Sequence, residues 1–158
     1  MRNKGTRYDL AILGLFAAAA IIFFWPVTVG GETMLPADNV FAWEPWRSYA
    51  QEAGVETIQN TLLTDLYLEN YVWKELIVDS LRDGELPLWN PYILTGVPFL
   101  AAGQHSAMYP LSVVFYVLPL ASAYGWFAAL HLFLAGAFTY VLARSLRVGR
   151  LGGFVSGL

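Results

Sequence analysis

From Leu10 to Val29 the chain reads LAILGLFAAAAIIFFWPVTV, 20 residues without a formal charge. A helix rises about 1.5 Å per residue, so a run of this length covers the roughly 30 Å hydrocarbon core of a bilayer. It predicts a transmembrane helix over residues 9–30. A secretory leader has a similar basic-then-apolar order. This run, however, is long, ends on bulky Phe23, Phe24 and Trp25, and lacks a small-x-small site nearby, which predicts a retained anchor.

A second uncharged stretch extends from Leu86 to Ala143. Its first part, LPLWNPYILTGVPFLAAGQHSAMYP, is too rich in Pro and Gly for regular helix and reads as an ordered loop beside the membrane. Two apolar pieces follow, with Pro119 between them. The first, residues 109–120, is too short to cross and predicts a re-entrant or interfacial segment. The second, residues 121–143, predicts a complete span. A basic turn at 144–150 and an apolar start at 151–158 predict a third span that the sequence cuts short, as in a fragment of a larger protein.

The charges give this layout a direction. Basic residues flank both spans: Arg2, Lys4 and Arg7 before the first, Arg144, Arg147 and Arg150 after the second. Between Glu32 and Glu85 stand eleven acids and three bases. Lys and Arg favour the cytoplasmic side of a membrane. The amino-terminal tail, residues 1–8, and the 144–150 turn are therefore expected in the cytoplasm, and the acidic loop, residues 31–108, outside it. The expected class is all-α integral membrane. A net charge of −3 offers no footprint for a nucleic-acid backbone, and the absence of cysteine removes disulfides, thiolate nucleophiles and Cys-bound metals.

Local signals predict structure within the loop. Pro45 can open a short helix that Gly54 closes, with Trp43, Trp46 and Tyr49 forming one aromatic face. The run DLYLENYVWKELIVDSLRDG predicts an amphipathic helix. Thr64 or Asp65 is its candidate cap; Leu68, Tyr71, Val72 and Leu76 form the apolar stripe; Glu69, Lys74, Asp79 and Asp83 form the polar face. Trp89, Asn90 and Pro91 are expected to fix a rigid turn.

The strings PADNVFAWEPWRSYA, LLTDLYLENYVWKEL and G-x-x-PLWNPY-x-x-x-G-x-P-x-x-A-x-x-Q (Gly84 to Gln104), together with the span motif LHL-x-LAG-x-x-x-Y-x-x-x-R (Leu130 to Arg144), resemble the amino-terminal portion of YfhO-type bacterial membrane proteins. Those proteins are similar to C-type glycosyltransferases. The resemblance implies a large polytopic protein of the bacterial cytoplasmic membrane, of which this chain would be the first quarter or less. It also implies sugar transfer from a polyprenyl-phosphate carrier to a cell-envelope glycan outside the cytoplasm, with an acidic residue of the first loop at the catalytic centre. The remaining spans of the parent would complete the lipid-carrier groove, so the fragment alone would be inactive. The alternative is an envelope-assembly protein that keeps the scaffold without catalysis.

Under that resemblance Asp65 and Asp38 are the catalytic candidates by position, Asp65 first. A carboxylate can take the acceptor hydroxyl proton as the anomeric carbon leaves phosphate. The structural alternatives are a helix cap for Asp65 and an Asx turn after Pro36 for Asp38. Arg47, Arg82 and His105 are candidates for the leaving phosphate; solvated charge is the alternative for the two arginines. Gln104, His105 and Tyr109 stand where the loop returns to the membrane, either in substrate binding or in satisfying loop backbone. His131, within the second span, is expected to hydrogen-bond in helix packing. With no D-x-D pair, a Mg or Mn ion held jointly with phosphate is the one metal role left open.

Overall fold

The computed structural model describes residues 4–158. In chain order its regular elements are α1 (Lys4–Phe23), α2 (Trp25–Thr28), α3 (Val72–Arg82), β1 (Trp89–Asn90), β2 (Val97–Pro98), α4 (Phe99–Ala102), α5 (Val113–Val117), α6 (Leu120–Ser145) and α7 (Arg150–Gly157). Short 3-10 turns and one π-helical turn join them. The chain forms two compact units, the described part of Met1–Thr33 with Tyr124–Leu158, and Met34–Ala123.

In the first unit, α1 and α6 are long and apolar enough to cross a membrane, by length and composition. Their outward faces carry Leu10, Leu15, Ile22, Phe23, Leu132, Phe138, Val141 and Leu142, all exposed. A helix that keeps its large apolar side chains outside as well as inside suits a hydrocarbon solvent better than water. The inward faces are small. Ala20 of α1 and Ala129, Ala137 and Ala143 of α6 are buried beside Phe16 and Tyr140. At the crossing of α6 and α7 a Cβ on Gly136 would stand 2.8 Å from the Gly157 carbonyl oxygen, and one on Gly157 would stand 2.7 Å from that of Gly136. Only glycine lets these backbones come so close, which brings dispersion contacts across the crossing. Phe16 fills the remaining space, its ring centroid 5.4 Å from that of Phe154.

One ionic cluster joins three helices of this unit. The Asp9 carboxylate accepts from Arg150 Nε at 2.9 Å and from the Tyr140 hydroxyl at 2.5 Å, and Arg144 Nε lies 3.8 Å away. At the opposite end a Cβ on Gly125 would fall 2.6 Å from the Val27 carbonyl oxygen. The start of α1 thus meets the end of α6, and α6 begins where α2 ends. The two long helices run antiparallel, and the basic residues Arg7, Arg144 and Arg150 share one end.

The helix boundaries differ from the sequence expectation. α1 is already helical from Lys4, before the uncharged run, because nothing between Gly5 and Leu10 stops propagation. It ends at Phe23 instead of near 30, because Pro26 brings no N–H and crowds the preceding turn. α6 extends over Leu120–Ser145, three residues beyond the 121–143 expectation in total. The 144–150 turn reverses at Arg147, whose φ is +64°, and residues 150–157 are helical. Arg2 lies outside the described residues.

In the second unit, Asn60 caps a 3-10 turn over Thr61–Leu63 by accepting from the Leu62 N–H at 3.0 Å. A π-helical turn, Leu66–Tyr71, then runs into α3. Asp65 makes no capping hydrogen bond, and the Thr64 hydroxyl donates instead to the Thr61 carbonyl. The cap expected at Thr64 or Asp65 is therefore supplied upstream by Asn60. Gly84, at φ +76°, ends the helix. The helix expected to open at Pro45 is a 3-10 turn over Trp46–Tyr49, and Gly54, at φ +72°, follows it.

The string from Gly84 to Gln104 folds as a small antiparallel ladder in which Trp89 faces Pro98 and Asn90 faces Val97. This two-stranded piece departs from an all-α chain and extends the rigid turn expected at Trp89–Pro91. Buried Asn90 accepts from the Tyr92 N–H at 2.9 Å and so turns the chain. Trp89 covers Gly96, where a Cβ would meet the indole within 2.6 Å. Within residues 109–120, expected to be re-entrant or interfacial, 110–117 form a 3-10 turn and α5, which packs on α3.

Replacing Gly136 with Leu in the full chain is expected to force α6 and α7 apart and to destabilise the helix pair by about 1–3 kcal/mol. The measurement is the midpoint of a denaturing-detergent titration on the solubilised protein. Gly14→Leu is the control, since nothing approaches within 4 Å of a Cβ built there, and its shift should stay within about 0.5 kcal/mol.

Candidate functional site

Helix α3 organises the second unit through both of its faces. On the inner face Lys74 and Ile77 are each 1% exposed. Sequence spacing places Lys74 on the polar face, but the structure turns it inward. Its Nζ donates to the His105 carbonyl at 2.7 Å and to Ser106 Oγ at 2.7 Å, and lies 4.6 Å above the centre of the Phe115 ring. Among the described residues no carboxylate forms an ion pair with it; carbonyl, hydroxyl and aromatic face meet the charge together. Burial lowers the Lys74 pKa from its ordinary 10.5 to about 8.

The lysine holds a loop that also supports itself. His105, 2% exposed, stacks on Phe99 with centroids 4.1 Å apart. Its Nδ1 accepts from the Ala107 N–H at 3.0 Å, so the ring proton sits on Nε2 and is donated to the Phe99 carbonyl at 2.8 Å. Ser112 Oγ donates to the Ser106 carbonyl at 2.8 Å and Tyr116 donates its hydroxyl to that of Ala107 at 2.5 Å. Both His105 nitrogens are thus engaged within the fold, in the backbone-satisfying role, whereas Gln104 and Tyr109 beside it are exposed.

The outer face of α3 carries the chemistry. Tyr71, Glu75 and Asp79 recur every four residues and so form one stripe. With Val78, Arg82 and the Phe115–Leu120 segment they line a cleft of about 490 Å³. Glu75 and Asp79 also border a second cleft of about 230 Å³ with Val72, Leu76, Asn90 and Tyr92. Burial, and the Glu75 carboxylate that it hydrogen-bonds, raise the Tyr71 pKa above its ordinary 10. Arg82 NH1 stands 3.4 Å from Asp79 Oδ1, an exposed pair worth little to stability. Two carboxylates, a phenol and a guanidinium around one cleft provide acceptors and donors for a hydroxyl-rich ligand, and a carboxylate there can take a proton from a bound hydroxyl.

Of the candidates read from the sequence, Arg82 alone lines this cleft. Arg47 borders a separate polar cleft with Gln51 and Glu56. Asp38 Oδ2 accepts from the Gln59 N–H at 2.7 Å, a tie across twenty-one residues in place of the local Asx turn. Its neighbour Asn39, buried, donates to the carbonyls of Pro36 and Asn60. Asp65 is exposed and borders none of these clefts. Glu75 and the Tyr71–Asp79 stripe were missed, although the four-residue spacing marks them. In the other unit, His131 bonds the Phe127 carbonyl of its own helix at 2.7 Å. Among the described residues no three of His, Asp or Glu converge as metal ligands.

No family model, curated protein or solved structure matches this chain.

The Lys74 arrangement has a pH signature. Lysine binds its proton less tightly in the fold than in the unfolded chain, so the unfolded state carries more protons between about pH 8 and 10.5, and stability rises with pH across that window. The expected gain is up to about 3 kcal/mol, from about 1.4 kcal/mol per pH unit. Denaturation of wild type and Lys74→Met, followed by tryptophan fluorescence at pH 7.5 and 10, checks it: the wild type should gain stability relative to the variant, which lacks this titration. A constant difference between the two would contradict it.

Proposed function

We propose that the chain is the amino-terminal part of a multi-pass, YfhO-type protein of the bacterial cytoplasmic membrane that transfers sugar from a polyprenyl-phosphate donor to a cell-envelope glycan. Its amino terminus lies in the cytoplasm and the acidic loop, residues 31–108, lies outside. The observation that carries the reading is an antiparallel apolar helix pair with its basic residues at one end, and a separately folded acidic unit whose residues fall between those two helices in the sequence. The motif likeness supplies the family; the clefts beside Glu75, Asp79 and Arg82 supply groups suited to hydroxyl and phosphate chemistry.

In this reading Asp65 remains the first candidate base, because it is exposed and its alternative duty as a helix cap is carried by Asn60. Asp38 is second, since the Gln59 N–H already occupies one of its oxygens. Arg82 and Arg47 are the cations for the departing phosphate, while Gln104 and Tyr109 are the exposed groups on the returning loop. Partners are the bilayer, the lipid-linked sugar, the glycan acceptor and the parent's remaining spans. The second reading, a non-catalytic envelope-assembly protein on the same scaffold, is favoured by one observation: neither Asp65 nor Asp38 borders the clefts on α3.

In the full-length parent, Asp65→Asn is expected to lower envelope glycosylation by at least about 100-fold while leaving membrane insertion intact. Unchanged glycan with Asp65→Asn, Asp38→Asn and the double Glu75→Gln, Asp79→Asn variant would favour the non-catalytic reading. A reporter fused after Asp79 should read extracytoplasmic and one after Arg150 cytoplasmic; the opposite pattern would remove the donor-site proposal.

A further inference from the structure

Apart from the α3 clefts, the second unit has an aromatic shelf. Phe41, Pro45, Trp46, Tyr49, Glu52 and Ala53 line an open cleft of about 590 Å³. Trp46 and Tyr49 are more than half exposed there. Such exposure in large aromatic groups usually marks a surface that something covers. The backbone beneath is fixed before anything binds: Arg47 N–H donates to the Trp43 carbonyl at 2.9 Å, Ala53 N–H to Tyr49 at 3.0 Å and Val55 N–H to Ala50 at 2.8 Å, while Ser48 Oγ donates to Pro45 at 2.7 Å.

A bilayer surface and a carbohydrate both favour exposed tryptophan and tyrosine, and the charges here discriminate between them. From Trp43 to Glu56 the chain has three acids and one base, and one of those acids, Glu52, sits in the cleft itself. Anionic headgroups are repelled by such a rim, and membrane-surface segments carry Lys and Arg instead. A neutral sugar suits both features. The axial C–H bonds of an all-equatorial pyranose form an apolar, weakly positive face that packs on the negative face of an aromatic ring. Its equatorial hydroxyls point outward, where a carboxylate accepts them in charge-assisted hydrogen bonds.

We propose that the Trp46–Tyr49 shelf with Glu52 is a binding site for a neutral, β-linked saccharide chain, whose ring stacks on Trp46 and whose hydroxyls donate to Glu52. The assignment stands on the chemistry of the shelf and goes beyond the transfer reading, which places no residue here. Because the backbone is already fixed, little ordering is lost on binding. Glycan of this class would be retained at the unit whether or not the chain helps to transfer sugar.

The test uses the full chain in detergent, with cellotetraose and chitotetraose as probes and saturation-transfer NMR as readout. The proposal expects saturable binding of at least one probe in the millimolar range or tighter, with saturation concentrated on the axial ring protons. Trp46→Ala should weaken it about tenfold, Glu52→Gln should weaken it severalfold, and Trp46→Phe should retain part of it. Circular dichroism and the unfolding midpoint establish that each variant is folded; if Trp46→Ala is not, the Glu52→Gln and Trp46→Phe pair decides. Absence of binding by both probes, or binding indifferent to these residues, overturns the proposal. So does quenching of Trp46 by brominated phosphatidylcholine in nanodiscs, which would show the shelf to be a bilayer contact. Saccharide binding in a parent that transfers no sugar would sink the transfer reading and leave this one standing, while transfer without binding here would do the reverse.

Discussion

A backbone in hydrocarbon has no water to bond, so every N–H and C=O must be satisfied within its own segment. The first unit, with two helices long and apolar enough to cross a membrane, accords with that constraint. Its two long helices satisfy their backbones internally, Thr139 folds its hydroxyl back onto the Ala135 carbonyl of its own helix, and large apolar side chains face outward. Association then needs close packing, which the chain supplies with alanines along α1 and α6 and with glycines where α6 meets α7. Asp9 adds direction. As the acid contacted by Arg150, Arg144 and Tyr140, it fixes which ends of the helices meet, and it is the only acid in the sequence outside Glu32–Glu85.

The second unit solves a different problem with little regular structure. Its long irregular stretches need fixed points, and polar side chains that reach across the chain provide them. Lys74 reaches from α3 to His105 and Ser106, Asp38 to Gln59, Asn39 to Asn60, and Tyr116 to Ala107. Lys74, Asn39 and Tyr116 donate to loop carbonyls that lie buried or partly buried, where an unpaired group costs more than the bond itself contributes, while Asp38 accepts from an exposed N–H. Lys74 shows the balance most clearly. A buried ammonium is unfavourable, yet here it closes two loop contacts and meets an aromatic face, and burial shows itself as a lowered proton affinity.

The placement of chemistry on this scaffold follows the same economy. The groups that hold the loop, His105 and Lys74, are buried and engaged, whereas Glu75, Asp79, Arg82 and the Trp46–Tyr49 shelf are left toward clefts. The candidate carboxylate Asp65 stands apart from those clefts, at the π-helical turn that leads into α3. Fold and chemistry are thus separable in this unit: one face of α3 builds the interior and the other presents ionisable groups.

Much of this was legible in the order of residues. Uncharged run length marked both long helices, the basic flanks marked ends that do meet, and Gly54 and Gly84 marked where helical paths stop, whereas the break at Pro26 was not read. Such features act through neighbours in the chain, so spacing and composition suffice. The string from Trp89 to Gly96 was also visible, but its two-stranded pairing was not, because a turn signal does not say which residues pair across it. Nor could spacing place Lys74. Residue type put it on the polar side of an amphipathic helix, while α5 and the 105–106 loop covered that position and gave it partners. The Asp9 cluster and the two α3 clefts were likewise set by which elements met. Local sequence defines the faces of an element; only tertiary structure decides what covers each face, because that choice depends on contacts between residues far apart in the chain.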